Sequence, residues 1–163
     1  AEILRSLTTA LEDLRRSRTE EGDRLERIIT DQLSALETLR SKAHACDGAR
    51  VEQIRDRISA QLAELLEVPS SLPEERLAQE VAILATKADV REEIDRIAAH
   101  CEAMRELLVA AEPVGRRLDF LCQELNREAN TLCSKSTTDA LTKIGLASRA
   151  AIDQIREQAQ NVE

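Results

Sequence analysis

The sequence predicts an all-α fold, and two observations carry this prediction. The 163 residues include only 4 Gly and 3 Pro, aromatic residues make up 1%, and 33% of the residues are charged, which is the composition of long helices. Apolar residues also recur at spacings of three and four along nearly the whole chain, as on one face of a helix. We expect a long antiparallel helical hairpin, forming a coiled-coil-like arm, followed by a three-helix C-terminal bundle.

The first predicted helix runs from residue 1 to about residue 46, with a seam formed by Leu4, Leu7, Leu11, Leu14, Leu25, Ile28, Leu36 and Leu39. Within the gap of this seam, Arg18 and Glu21 occupy positions where a coiled coil has apolar residues. Two interpretations stay open: a polar layer that fixes the register, or a polar contact aimed at a site on a packed partner. Gly22 indicates a bend or the close approach of another backbone, because Gly costs about 1 kcal/mol in a helix interior.

A second helix completes the predicted arm. Asp47 and Gly48 predict a turn, and the seam then repeats from Val51 to Leu65 before the chain reaches Pro69. The segment PSSLP at residues 69–73 is the clearest boundary in the sequence. We therefore divide the chain into a hairpin arm, residues 1–72, and a C-terminal helical domain, residues 73–163.

The third predicted helix, residues 73 to about 111, carries a polar stripe opposite its apolar face. The stripe consists of Asp89, Glu93, Arg96 and His100, spaced by four, three and four residues. His100 on such a stripe has three possible roles, as a general base, a metal ligand or an ordinary surface group. Pro113 opens a fourth helix, and the segment 136–139 separates it from a fifth.

Residues 113–135 combine an apolar stripe with an unusually dense set of polar groups. One polar row contains Arg117, Glu124, Glu128, Thr131 and Lys135, and its neighbour contains Arg116, Gln123, Arg127 and Asn130. Periodicity favours a solvated face with ion pairs such as Glu124 with Arg127. The alternative is a site, because this mixture of groups is able to hold a cation, an anion and a hydroxyl together.

Composition excludes several classes of function. A net charge of -8 argues against a polybasic membrane surface or a globally steered DNA binder. Phe120 is the single aromatic residue, so any nucleic acid would be held by its backbone and not by base stacking. No apolar run approaches the roughly 20 residues that span a bilayer.

The cysteines and the first residue bear on the origin of the chain. The four cysteines have no C-x-x-C spacing and three of them fall at apolar helical positions, which indicates reduced core thiols and a cytoplasmic location. The chain begins at Ala1 without Met and is already helical. We therefore expect a fragment or a processed product.

Two segments resemble the YicC family of bacterial proteins. The run EPVGRRLDFLCQELNREANTLCSK at residues 112–135 is similar to the family's central signature, and REQAQNVE at residues 156–163 is similar to its usual terminus. Residues 77–100 resemble a second block, and Arg18, Glu21 and Gly22 resemble an R-x-x-E-G element. The resemblance spans nearly the full length of the chain, with the segments in the same order. Residues 25–72 match only in their helical character and not in a specific motif.

The resemblance implies a metal-dependent endoribonuclease that hydrolyses RNA phosphodiester bonds. It further implies a longer parent protein, which has an additional N-terminal α/β domain and assembles into a homo-oligomer, a hexamer. We expect this chain to be a fragment without that domain, and the fragment alone need not be active. The alternative is a non-catalytic helical assembly or interaction module, whose polar rows form salt bridges between subunits and which supports RNA binding by the missing domain.

The signature positions transfer onto this chain residue by residue. The catalytic candidates are His100, Arg117, Glu124, Arg127 and Glu128. The candidate ligands of a divalent cation, Mg²⁺ or Mn²⁺, are Glu93, Glu124 and Glu128. The candidate RNA contacts are Arg96, Arg116, Arg117, Arg127, Asn130 and Lys135, and the supporting positions are Arg18, Glu21, Asp89, Asp119 and Thr131. In such a site the metal would polarise the phosphate and activate water, an arginine would stabilise the transition state, and His100 would move a proton.

Overall fold

The computed structural model describes residues 2–47, 50–66, 74–110 and 113–162. Within these ranges the chain forms six helices and no strand. The helices are α1 (Glu2–Asp47), α2 (Arg50–Leu66), α3 (Glu74–Lys87), α4 (Arg91–Leu108), α5 (Gly115–Lys135) and α6 (Asp139–Ala159). The all-α prediction and the long first helix are therefore confirmed. Among the described residues, no helix has the length and apolarity needed to cross a membrane.

The third predicted helix is in fact two helices, α3 and α4. Its helical hydrogen bonding ends near Ala88, whose backbone N–H still donates to the Leu84 carbonyl over 2.9 Å. The Asp89 carboxylate then accepts a 3.0 Å hydrogen bond from the backbone N–H of Arg91. The N-cap residue Val90 provides no side-chain cap, so Asp89 satisfies one of the N–H groups that the first turn of α4 leaves without a helical partner. Apolar periodicity does not reveal this break, because Val90 stays fully buried across it.

Four helices form the main core. α1 packs on α4 and α6, and α5 packs on the same two helices, so the four close into a bundle. Each of the four helices contributes fully buried side chains to this core: Leu33 and Leu36 from α1, Ile94 from α4, Leu118 and Leu125 from α5, and Ile152 from α6. The predicted three-helix C-terminal bundle is thus completed by the second half of α1.

The pairing of α1 and α2 differs from the expected hairpin. In the described part of the chain, α2 packs on α3 around a small separate cluster of Ile54, Val81 and Ala88. The second half of α1 instead buries its apolar residues, among them Ile29, Leu33 and Leu36, against α4 and α6, and one apolar stripe cannot be covered twice. The boundary predicted at residues 69–73 lies outside the described residues, as does Gly48, and α1 packs on helices that follow that boundary.

The first half of α1 is exposed to solvent. Its seam residues Leu4, Leu7, Leu11 and Leu14 retain between 52% and 69% of their accessible surface, and Ile3 retains 85%. No described atom lies within 4 Å of the position that a Cβ would take at Gly22. The close backbone approach considered for Gly22 is therefore not found in the described part of this chain.

Two other glycines do permit close helix contacts. A Cβ on Gly115, at the start of α5, would overlap the backbone carbonyl oxygen of Val162 just after α6. A Cβ on Gly145 in α6 would overlap the Cys133 sulfur on α5. These two positions let α5 and α6 approach each other more closely than any side chain would allow.

The cysteines behave as the sequence predicts. All four are free thiols, and Cys101 and Cys122 are fully buried. Burial raises the pKa of each of these two thiols to about 12, because a thiolate is poorly solvated in an apolar core. Cys101 and Cys122 are therefore neutral packing residues.

Candidate functional site

The structure brings the two predicted polar stripes into contact along α4 and α5. Lys135 Nζ lies 2.7 Å from Glu93 Oε1, and Arg96 Nη1 lies 3.4 Å from Glu128 Oε1. Glu93 and Arg96 come from α4, while Glu128 and Lys135 come from the antiparallel α5. We call this group of four residues the α4–α5 seam, and it is the main candidate for a functional site.

Both carboxylates of the seam are buried. Glu93 and Glu128 are each only 4% exposed, and they are the charged residues found buried within the described ranges. Burying a charge is costly unless partners compensate for it. The two cations compensate one oxygen of each carboxylate, but Glu93 Oε2 is buried without a hydrogen-bond partner. Such an oxygen is uncommon in folded proteins, and it would be stabilised by a cation or by a donor on a ligand.

Lys135 is fixed in place at the end of α5. Its ammonium group donates to the Asp89 backbone carbonyl over 3.1 Å as well as to Glu93. A lysine in the last turn also lies at the negative end of the helix dipole. The α3–α4 connection, α4 and α5 therefore meet at one positive charge.

Arg96 links the seam to an open groove. Its guanidinium contacts Glu92 one turn earlier on α4 and Glu128 across the seam. The negative charge of Glu92, followed by that of Glu128, raises the pKa of Arg96 above its ordinary value, so the guanidinium stays charged. A groove of about 650 Å³ runs along this side of α4, with Arg96 and Lys135 among its lining residues.

Several predicted site residues lie outside the α4–α5 seam contacts. Glu124 forms a 3.0 Å ion pair with Arg127 on its own helix, as periodicity favoured. The Thr131 hydroxyl donates to the Arg127 carbonyl, one turn earlier on α5, over 3.1 Å, so its hydrogen bond stays within its own helix. The exposed residues of this group are Arg116, Arg117, Arg127 and Asn130.

The proposed metal ligands do not assemble into one set. Across the described residues, no group of three or more His, Cys, Asp or Glu side chains is placed to hold a metal ion. Glu93, Glu124 and Glu128 therefore do not form a three-residue cage in this chain. Mg²⁺ is commonly held by one or two carboxylates, with water and substrate phosphates completing its shell. Glu93, whose buried Oε2 has no hydrogen-bond partner, is the carboxylate that fits this mode of binding.

His100 lies on α4, one turn beyond Arg96, and is half-buried. No hydrogen bond or ion pair joins it to the described part of the chain. The pairs Glu93 with Lys135 and Arg96 with Glu128 define the register of the two helices. Continuing that register places His100 at the level of Glu124 on α5.

Arg18 and Glu21 lie at the opposite end of the bundle. They line a groove with Val114 and Asn161, close to the start of α5. Lys135 lies at the other end of α5, about 30 Å away at 1.5 Å per residue. The structure therefore separates Arg18 and Glu21 from the α4–α5 seam within one chain.

Asp119 faces α6 and not α4. Its carboxylate accepts a 2.9 Å hydrogen bond from Arg156 Nε and a 2.7 Å bond from the Gln123 amide. The bond from Arg156, and then that from Gln123, lowers the pKa of Asp119. Asp119 thus ties α5 to α6.

Glu92 was missed as a site residue by sequence reasoning. It holds the exposed side of the Arg96 guanidinium, while Glu128 holds the buried side. The spacing of four residues between Glu92 and Arg96 is the signal that could have found it.

Taken together, the fold and the site define an all-α protein with a charged, partly buried site between two antiparallel helices. The chain belongs to the family described as "Endoribonuclease YicC-like, C-terminal", whose model matches residues 43–163. It is 37% identical to the "Probable endoribonuclease YicC" of Clostridioides difficile (strain 630), over 96% of this chain and 55% of that protein. It is 36% identical to the protein of the same name from Haemophilus influenzae, over 99% of this chain and 56% of the relative. The chain thus spans a little over half the length of these curated relatives.

Proposed function

We propose that this chain carries the RNA-cleaving site of an endoribonuclease and that the site is the α4–α5 seam. Family membership and the names of both relatives support an activity on RNA. The observation that supports this position for the cleavage site is the pair of buried carboxylates, Glu93 and Glu128, which form ion pairs with two cations beside an open groove.

The seam residues have distinct parts in this proposal. Arg96 and Lys135 bind the phosphate of the RNA backbone, since both are fixed cations at the edge of the groove. Glu93 and Glu128 hold a divalent cation, Mg²⁺ or Mn²⁺, which when bound would polarise the phosphate and activate water. His100 is the neighbouring side chain that can take or give a proton.

The proposal extends to the features that the resemblance implied. The reaction is the hydrolysis of RNA phosphodiester bonds and depends on the divalent cation. The active protein is a cytoplasmic homo-oligomer, with this chain as the C-terminal helical part of a longer protein.

Cleavage of labelled single-stranded RNA tests the site directly. In the presence of Mn²⁺, we expect Glu128→Gln to lower the cleavage rate by about 100-fold, because removal of one charged group from a preorganised site has effects of this order. The measurement is made on the full-length parent protein, with EDTA as the metal-free reference. The matched control is Glu80→Gln, which removes an exposed carboxylate from α3 and should leave the rate unchanged.

Thermal unfolding distinguishes a chemical effect from a structural one. Both variants should unfold with the cooperativity of the parent protein. If Glu128→Gln folds normally and cleaves RNA at the parent rate, the α4–α5 seam is not the cleavage site.

A second function, that of an assembly module, is favoured by one observation: the exposed apolar seam on the first half of α1. We expect this seam to pack against protein, so that Leu7→Glu with Leu11→Glu shifts the full-length protein towards smaller oligomers. Light scattering coupled to size exclusion measures the mass. The charge-matched control, Ser6→Glu with Thr9→Glu, adds the same two negative charges at exposed positions outside the leucine seam and should leave the mass unaltered. An unchanged mass in the leucine variant would exclude this seam from the assembly.

A further inference from the structure

A second cavity lies beside the α4–α5 seam, on the other side of Lys135. It has a volume of about 410 Å³, opens to solvent, and is lined by α2, α3, the end of α5 and the connection between α5 and α6. This size is within the range of small-ligand sites. Lys135 lines both this cavity and the groove along α4, so the two spaces adjoin at one residue.

The charge of this cavity is opposite to that of the whole chain. Its lining includes the cations Arg57, Lys87 and Lys135 and no Asp or Glu, whereas the chain has a net charge of -8. In the described part of the protein, neither Arg57 nor Lys87 forms an ion pair. Three helices thus each contribute a positive charge to the lining, and of these charges only that of Lys135 is paired, among the described residues, with a carboxylate, that of Glu93, which lies outside the lining.

Neutral hydrogen-bond donors supplement the cations. Thr137, between α5 and α6, lines the cavity, and within the described ranges neither its hydroxyl nor its backbone N–H has a hydrogen-bond partner. Gln53 and Gln61 add side-chain amides. Cations together with hydroxyl, amide and backbone donors are the groups that bind phosphate oxygens.

The remaining wall is apolar. Ile54, Ile58, Leu84 and Ala88 supply it, and they belong to or adjoin the small cluster that joins α2 to α3. A free inorganic anion cannot bury this apolar surface, whereas the ribose and base of a nucleotide can cover it. The lining therefore favours a phosphate that is part of a nucleic-acid strand.

We propose that this cavity binds a backbone phosphate of the RNA strand, one position along from the phosphate held at the α4–α5 seam. This inference rests on the proposed function for its ligand, and Lys135 connects the two phosphate positions. The sequence assigned α2 to the predicted arm and α3 to the C-terminal domain, and this proposal makes the pair part of the substrate-binding surface.

Binding of a fluorescein-labelled oligouridylate, measured by fluorescence anisotropy in EDTA, tests this proposal without any cleavage. We expect the full-length protein carrying Arg57→Gln with Lys87→Gln to bind at least about tenfold more weakly. Each single-strand phosphate contact contributes about 0.7 to the slope of log K against log salt concentration, so the slope should fall by about 1.4. The charge-matched control is Arg5→Gln with Arg149→Gln, at exposed positions away from the cavity, and its affinity and slope should be those of the parent.

Three results would overturn the proposal: unchanged binding in the cavity variant, an equal loss in the control, or thermal stabilisation by inorganic phosphate that the cavity variant loses while its RNA binding persists. The last result would assign the cavity to free phosphate. Because affinity is measured without metal, failure of cleavage at the α4–α5 seam leaves this test intact.

Discussion

At the scale of single residues, the same amino acid type serves opposite purposes according to its surroundings. Glu124 pairs with Arg127 near the surface of its own helix, whereas Glu128, one turn later, is buried against Arg96 of another helix. The spacing of the two residues along α5 is that of an ordinary ion-paired face. Burial is what distinguishes a site carboxylate from a surface carboxylate, and burial depends on the partner helix.

Glycine substitutions test the close contact between α5 and α6. Gly115→Ala should destabilise the protein by about 1–3 kcal/mol, because the added methyl group overlaps the Val162 carbonyl and overpacking has costs of this order. Gly22→Ala, in open space on α1, should instead stabilise by up to about 1 kcal/mol through helix propensity. Urea unfolding followed by circular dichroism measures both changes. Equal effects of the two substitutions would contradict the close approach at Gly115.

At the scale of elements, ion pairs between helices fix how α1 and α4 pack. Arg105 of α4 contacts both oxygens of Glu37 on α1, with Nη2 lying 2.9 Å from Oε2. The hydrogen bond from Arg105 lowers the pKa of Glu37. This pair joins the buried stretch of α1 directly to α4, so it favours α4 as a packing partner of α1.

The lowered pKa of Glu37 predicts a pH-dependent contribution to stability. Since the folded pKa is below the ordinary value of 4.5, the contribution is fully present above pH 4.5 and is lost as pH falls through the folded pKa. At pH 7, Glu37→Gln should therefore reduce the free energy of unfolding by about 0.5–1 kcal/mol, a range that allows for solvent screening of a partly exposed pair. The difference between the parent and the variant should vanish in strong acid.

Urea unfolding across this pH range measures the Glu37 effect. Glu12→Gln, in the exposed first half of α1, is the matched control and should show a difference near zero at every pH. A Glu37 effect that persisted unchanged in strong acid would show that packing, and not charge, is responsible.

At the scale of the whole molecule, the bundle places the α4–α5 seam and the groove of Arg18 and Glu21 at opposite ends of α5. The exposed half of α1 extends from the second of these ends. The α2–α3 pair lies at the first end, beside Lys135. One chain therefore presents a charged end, which is the proposed RNA-binding surface, and an apolar extension, which is the proposed assembly surface.

The sequence by itself determined the all-α class, the long first helix and the two polar stripes that meet at the α4–α5 seam, but it did not show the break between α3 and α4. These features follow from local periodicity, which reports the face that a helix must bury. The tertiary structure alone decided which helix covers each face: α1 packs on α4 and α6, α2 packs on α3, and Glu93 lies against Lys135. Periodicity cannot specify a partner, because any sufficiently apolar stripe covers another. The burial of Glu93 and Glu128 and the cationic cavity beside Lys135 arise only from that choice.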